Sequence, residues 1–329
     1  MKFMNFWSNL DTPLDFFAFA LVLTVVFVNG FTDAPNSIHS SVKAGALSLW
    51  RASLLSGIFN FLGVVASSFF AFSVGKSVWA LADSKSVENG TLIVCACLLT
   101  VISVGILAWV FKMPSSESHA LLFSLMGASL GAGRISSGID KILFITVCMI
   151  ASTLASYVLS RLLSVLFAKR VRTKNSHLAF FCCALSFMHG AQDGQKLLAV
   201  LMIVLSADLA STSAPPPFAI LSVGAIMGAS TVLSGKRILS SIDKLSENSD
   251  TSSCFFADLA AFVTLLFSSL FGLPVSTGNI KSASVFATEK EAGKQSKRVI
   301  MRIFLTSLIT LPVSFLFGFL IYKMLLLFF

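Results

Sequence analysis

Charge is what this chain has least of. Only 12% of its 329 residues are Asp, Glu, Lys or Arg, against about 25% in a soluble domain. Hydrophobic residues make up 56%, and the mean hydropathy is +0.88. Too few solvated side chains are present to cover a water-soluble globule, and the polar stretches are too short to form a soluble domain. The six cysteines fall mostly inside apolar runs, without a CxxC pair or a histidine at ligand spacing. Neither a disulfide framework nor a zinc site is therefore expected. A basic leader and a small-residue cleavage pattern are missing around the apolar run from Phe16, so that run reads as a retained helix. Acidic residues number 15 against 24 basic ones, a net charge of +9. The basic residues sit in short loops between apolar runs, as a positive-inside bias predicts, so no nucleic-acid partner is expected. What remains is an all-α polytopic membrane protein, with length for ten or so crossings of about 20 residues each.

Against this apolar background two polar motifs recur. The run Asn29-Gly30-Phe31-Thr32-Asp33-Ala34-Pro35-Asn36-Ser37 interrupts the first apolar segment. A shift of 160 residues carries Gly30 onto Gly190, Thr32 onto Gln192, Asp33 onto Asp193 and Asn36 onto Lys196. The same shift carries Pro114-Ser115-Ser116-Glu117-Ser118-His119 onto Pro274-Val275-Ser276-Thr277-Gly278-Asn279. Two motifs in one register are an internal duplication: residues 1–168 and 177–329 form two repeats, joined by a basic cytoplasmic linker at 169–176. A charged side chain at hydrophobic depth costs roughly 2.5–3.5 kcal/mol unless it lines a protein or water-filled cavity, so the repeated aspartates point to a functional site. Pro35 disfavours helix at Ala34 and frees backbone groups, so each repeat is expected to contain a broken helix, at Gly30 to Pro35 and at Gly190 to Lys196. The Ser-, Gly- and Ala-rich runs Ser115–Gly133 and Pro274–Ala287 suit re-entrant Pro-Ser hairpin arms. The GxxxG spacings at Gly127/Gly131 and Gly224/Gly228 read as close helix packing within one chain.

Charge also orients the chain. With alternating crossings, fifteen basic residues share one face: Lys43, Arg51, Arg161, Lys169, Arg170, Arg172, Lys174, Lys236, Arg237, Lys244, Lys290, Lys294, Lys297, Arg298 and Arg302. The opposite face holds six, Lys2, Lys76, Lys85, Arg134, Lys141 and Lys323. The first face is then cytoplasmic, with both termini on the outer face. Residues 133–140 fall outside and their shifted partners inside, so the repeats are expected to be inverted, as in alternating-access transporters.

These motifs resemble those of the PiT-type inorganic phosphate transporters. Both halves of that family carry Gly-Ala-Asn-Asp-x-x-Asn, or Gly-Gln-Lys after the Asp in many bacterial second repeats, and later Pro-x-Ser-Ser/Thr-Ser/Thr-His. Gly30, Asp33 and Asn36 match the first motif, with Phe31 and Thr32 departing from Ala-Asn. Residues His189 to Lys196 match the bacterial second repeat with one amide exchanged, at Gln192. Pro114 to Ala120 match the first later motif, with Glu117 where the family more often has Ser or Thr. Pro274 to Thr277 match the second, from which Gly278 and Asn279 depart. The resemblance covers nearly the full length. It implies a low-affinity phosphate permease of the bacterial inner membrane, importing phosphate with a co-transported Na+ or H+ and without a cofactor or enzymatic step. The partners it implies are phosphate, the coupling cation and the lipid bilayer, with room for a homodimer and a cytoplasmic PhoU-like regulator.

Physical chemistry assigns roles within the motifs. A tetrahedral oxyanion needs hydroxyls, amides and the free N–H groups of helix starts. Ser115, Ser116, Ser118, Ser276 and Thr277 are expected to bind it, with ordinary helix capping as the alternative. Gln192 and Lys196 join this anion set. Asp33, Asp193, Asn36 and Thr32 suit a coupling cation or proton, Gln192 serving here as well. Asp33, Asn36 and Asp193 are the ligands if that cation is Na+. Lys196 either supplies a fixed positive charge in the site or snorkels to the interface. His119 is a proton relay, a neutral donor or packing, and its counterpart Asn279 cannot titrate. Glu117 is a protonatable group near the anion or a solvated residue at the hairpin mouth. Sulfate is the competing cargo, but it is fully ionised, whereas HPO4 2− donates a hydrogen bond that a carboxylate such as Glu117 accepts. An intramembrane aspartyl enzyme would use the paired aspartates and leave the serine motifs unexplained.

Overall fold

The computed structural model describes residues 10, 12–70, 72–82, 90–110, 116–133, 138–168, 170–205, 215–233, 250–289 and 294–328. Among these residues all regular structure is helical. In order the helices are α1 (Pro13–Lys43), α2 (Leu49–Phe70), α3 (Ser73–Trp79), α4 (Gly90–Val110), α5 (Glu117–Gly131), α6 (Gly138–Phe167), α7 (Asn175–His189), α8 (Gln195–Val204), α9 (Pro217–Leu233), α10 (Thr251–Leu270), α11 (Thr277–Ala287) and α12 (Lys294–Leu325).

Among the described residues, six segments are long and apolar enough to cross a membrane: Pro13–Lys43, Leu49–Phe70, Gly90–Leu107, Leu143–Phe167, Thr251–Leu270 and Lys294–Leu325. That is fewer than the ten or so for which the length leaves room. Part of the difference lies in short helices: α5, α9 and α11 have 15, 17 and 11 residues, below the ~20 needed to span, while α7 and α8 run on from one another through a π-helical turn as continuous helix over 175–204. The long helix α6 is inside-out relative to one of a soluble protein. On α6, Leu143, Val147, Leu154, Val158, Leu162 and Val165 are exposed, while Ser152, Ser156 and Ser160 are buried. Ser156 and Ser160 donate to the carbonyls of Ile280 and Ser284 on α11, at 3.2 and 2.7 Å. An apolar outer face and a hydroxyl-bearing inner one belong in lipid, and the chain is a multi-pass membrane protein.

Helix starts follow the local sequence. α1 begins at a capping box in which Thr12 and Asp15 bond each other's backbone N–H, at 3.1 and 3.2 Å, with Pro13 next in line. Thr91 also donates to Asp15 at 2.6 Å, tying α4 to the start of α1. The expected break at Gly30 to Pro35 is absent: α1 runs unbroken to Lys43. Neighbouring hydroxyls support this stretch, with Thr231 of α9 donating to the Gly30 carbonyl at 3.1 Å and Thr32 to the Val28 carbonyl at 2.9 Å. A proline is tolerated within a membrane helix where neighbouring helices pack on it, and α9 and α7 both pack on α1. The second motif is not unwound either. Gly190–Gly194 forms a π-helical turn between α7 and α8, a local widening that displaces side chains without exposing the backbone.

Packing follows the 160-residue register. α5 lies against α4 and α12, and its shifted equivalent α11 lies against α10 and α6. α2 packs on α7 as α9 packs on α1, and α2 and α9 pack on each other. Each half's short serine-led helix is therefore held by the last long helix of the other half. Glycines permit the closest approaches. A Cβ at Gly30 would fall 2.6 Å from the Met227 carbonyl oxygen of α9, and one at Gly190 would fall 2.1 Å from that of Asn60 on α2. The GxxxG glycines also pack within the chain, Gly127 against Phe315 of α12 and Gly228 against Gly57 of α2.

At Gly127 an added Cβ would meet the Phe315 carbonyl oxygen at 1.9 Å, whereas at Gly105 nothing lies within 4 Å. Gly127→Ala is expected to lower stability by about 1–3 kcal/mol, read as a lower unfolding temperature in detergent, and Gly105→Ala to leave it unchanged.

Candidate functional site

Two helix starts meet at the centre of the molecule. After α10, the chain turns at Gly272, whose φ of 65° suits a residue without a Cβ, and enters α11 with Ser276 as N-cap. Ser116 is the N-cap of α5. Each serine accepts from the backbone N–H three residues on, Ser116 from His119 and Ser276 from Asn279, both at 3.4 Å. Capping is therefore present, but it is not all these hydroxyls do. Ser116 Oγ and Ser276 Oγ lie 2.9 Å apart, so residues related by the 160-residue shift touch. The N-terminal dipoles of both helices converge there. Pro114 and Ser115 lie outside the described residues.

Beneath this pair sits Asp193, 2% exposed, on the π-helical turn. Lys196 Nζ donates to Asp193 Oδ1 at 2.5 Å, Ser118 of α5 donates to the same oxygen at 3.2 Å, and Thr277 of α11 donates to Oδ2 at 2.9 Å. Lys196 also donates to Ser118 Oγ at 2.9 Å and to the Val275 carbonyl at 2.5 Å. All three of its hydrogens are used and the side chain is 1% exposed, so it belongs to the site and does not snorkel. His189 Nε2 lies 3.2 Å from Asp193 Oδ2, too oblique for a hydrogen bond, while its Nδ1 is 2.9 Å from Asn60 Oδ1.

Across from Asp193 lies Asp33 of α1. Atoms of Asp33, His189 and Asp193 able to hold a cation lie within 4.8 Å of one another. Asp33 accepts long hydrogen bonds from Asn29 at 3.5 Å and Asn36 at 3.4 Å. Glu117, half-buried, accepts from Thr32 at 2.7 Å and Asn29 at 3.2 Å. It therefore faces the motif of α1 and is not a solvated residue at the hairpin mouth. Thr32 has one hydroxyl hydrogen, and both the Val28 carbonyl of its own helix, at 2.9 Å, and Glu117 of α5, at 2.7 Å, lie within reach of it.

The other predicted residues are placed differently. Gln192 is fully buried and donates to Ser269 Oγ at 2.9 Å and the Leu273 carbonyl at 3.4 Å, which braces the end of α10. Asn279 exchanges hydrogen bonds with Ser307 of α12 at 3.0 and 3.3 Å. His119 is buried, with Nδ1 lacking a hydrogen-bond partner among the described residues. The sequence reading assigned no role to Asn29 and His189. They are shift-related, each four residues before its aspartate, a spacing that puts them on the aspartate's own face.

Lys196 and Asp193 bury opposite charges together, and removing one strands the other. Lys196→Met is expected to cost about 3–5 kcal/mol of stability, most of it recovered when Asp193→Asn is added. Denaturation of the purified variants checks both.

The chain matches the model of the phosphate transporter family twice, over residues 29–181 and 175–318. It is 28% identical over 306 residues to a probable low-affinity inorganic phosphate transporter of Bacillus subtilis, covering 88% of this chain and 90% of that one. A protein of the same description from Mycobacterium tuberculosis is 29% identical over 327 residues, covering 94% of this chain and 77% of the relative. One from Rhizobium meliloti is 29% identical over 285 residues, covering 82% and 83%. These relatives are described as transporters and not as enzymes. A solved structure, the sodium-dependent phosphate transporter, shares the fold with a TM-score of 0.79 at 16% identity, covering 97% of this chain and 100% of that one. With a family match in each half and the paired motifs meeting at one centre, this chain belongs to the phosphate transporter family.

Proposed function

We propose that this protein imports inorganic phosphate as a secondary transporter coupled to Na+ or H+, by alternating access of two inverted halves. The observation that carries the reading is the Ser116–Ser276 contact at 2.9 Å. Two helix N-termini, one from each half, aim their dipoles and hydroxyls at one point beside Asp33 and Asp193. Their mutual bond uses one of two hydroxyl hydrogens, so a phosphate entering between them gains donors that are already placed. Ser118 and Thr277, now on Asp193, complete a ring of short donors.

The carboxylates account for coupling. A dianionic phosphate brings two charges next to Asp33, Asp193 and Glu117, while Lys196 supplies the positive charge of the ring. Low-dielectric surroundings make the imbalance costly, so phosphate enters with cations or protons. Asp33 and Asp193, with Asn36 and Thr32 beside them, offer the oxygens that a hard cation takes. Glu117, at the start of α5, is the acceptor that a hydrogen phosphate satisfies and sulfate does not. Inversion of the halves and a re-entrant course for α5 and α11 are supported by the shift-related packing and by the shortness of these two helices.

Labelled phosphate uptake into proteoliposomes tests the reading. Uptake is expected to follow an imposed Na+ or H+ gradient, with sulfate a weak competitor. Asp33→Asn should abolish gradient-driven uptake in a folded protein; Asp193→Asn should abolish it too, with a loss of stability from the stranded Lys196 charge. Ser116→Ala and Ser276→Ala should each raise KM about 10- to 150-fold, from one lost hydrogen bond to a charged group worth ~1.5–3 kcal/mol. Uptake indifferent to both gradients would refute coupling.

A further inference from the structure

Two lysines are buried among the described residues, and the candidate site uses one. The other, Lys281 of α11, is 2% exposed and pairs with Asp258 of α10, which is fully buried. Lys281 Nζ donates to Asp258 Oδ1 and, at 2.9 Å, to Ser40 Oγ of α1; Ser40 donates to Asp258 Oδ1 at 2.6 Å. Three helices thus meet in one charged knot. Lys281 is four residues beyond Thr277, and Ser40 four beyond Asn36, so the knot lies about one helical turn, ~6 Å, past the candidate site on the same faces of α11 and α1. Between them the two helices approach closely: a Cβ at Gly278 would be 3.2 Å from Asn36 Nδ2.

The other half provides an internal control. The 160-residue shift relates Ser40 to Val200, Asp258 to Leu98 and Lys281 to Leu121, all buried in the main apolar core. The fold therefore closes the equivalent place with ordinary apolar packing, which is usually as stable as a buried ion pair or more so. Packing alone gives no reason for a charged knot in only one half. Its donor set points elsewhere. Asp193 in the site is held by an ammonium and two hydroxyls, and Asp258 by an ammonium and one hydroxyl, those of Lys281 and Ser40. A carboxylate in such a cradle stands where an oxyanion fits.

We propose that Lys281 and Ser40 form a second oxyanion station, which receives phosphate as it passes between the candidate site and the Lys43 end of α1. Asp258 fills the station as a built-in counter-ion when phosphate is absent. This rests on the reading of the protein as a phosphate transporter. Because the carboxylate must yield to the anion and return afterwards, the pair sets the rate of passage and not the affinity of the first site.

The test measures equilibrium binding of labelled phosphate to the purified full-length protein and its uptake into proteoliposomes. Asp258→Asn removes the competitor, so phosphate bound per chain should rise from one towards two while turnover falls at least tenfold. Lys281→Met should bind one phosphate per chain and lose at least tenfold in turnover with KM changed less than threefold. The double variant Asp258→Leu/Lys281→Leu reproduces the apolar packing of the other half. It should fold with wild-type stability and still turn over at least tenfold more slowly. Wild-type turnover in a folded double variant would overturn the proposal, as would a stoichiometry of one in Asp258→Asn. Failure of the double variant to fold would show the pair to be structural and overturn it too. Wild-type protein that neither binds nor moves phosphate would instead defeat the reading on which the proposal rests.

Discussion

Asp193 carries a charge in a place almost without water, and the centre of the molecule is arranged to make that tolerable. A buried carboxylate is stable only when paired and hydrogen-bonded. Here the partners come from three directions: Lys196 from the next turn, Ser118 from α5 and Thr277 from α11. One charge thus pulls the starts of two short helices to one point, and those starts bring Ser116 and Ser276 into contact. The meeting of the two helix starts follows from the neutralisation of an aspartate. The long helices, with apolar outer faces and hydroxyls inside, hold the short ones through close glycine contacts and serine-to-carbonyl bonds.

The two halves repeat this plan but not its charges. Asp33, the partner of Asp193, has Asn36 where Asp193 has Lys196, and Glu117 stands at the position shift-related to Thr277. One half thus gains a positive charge and the other a negative one, so the two departures cancel in net charge while separating it across the site. Asp193 is tightly held, whereas among the described residues Asp33 accepts long bonds, from Asn29 and Asn36. Of the two shift-related carboxylates, one is therefore fixed by its neighbours and the other is only loosely engaged. The π-helical turn belongs to the tight half, where it carries Asp193 and Gly190 against α2.

Much of this was legible in the sequence, because polarity at hydrophobic depth is rare and its repetition is easy to see. The register that aligned Asp33 with Asp193 and Ser116 with Ser276 is the register of the packing. The place of Lys196 in the second motif pointed inward, and its ammonium is buried against Asp193. The broken helices were misjudged because proline and glycine disfavour helix locally, while the packing of α9 on α1, with Thr231 donating to the Gly30 carbonyl, is a contact that only tertiary structure reveals. Gln192 was grouped with the ligands by its motif position, yet it braces the end of α10, since a side chain's direction on a π-helical turn does not follow ordinary helical spacing. Asp258 and Lys281 passed unnoticed for a different reason. Each is a single charge in an apolar or serine-rich run, 23 residues apart, and no local pattern connects them. The signal was their mismatch with the repeat, opposite Leu98 and Leu121.

The central claim is that phosphate enters between Ser116 and Ser276. Cysteines placed at both positions, Ser116→Cys with Ser276→Cys, should form a disulfide under mild oxidation of the purified protein. Saturating phosphate, with the coupling cation present, should slow that cross-link at least tenfold, and sulfate should have little effect. A cross-linking rate unchanged by phosphate, in protein whose uncross-linked form still transports it, would place the anion elsewhere and contradict the account.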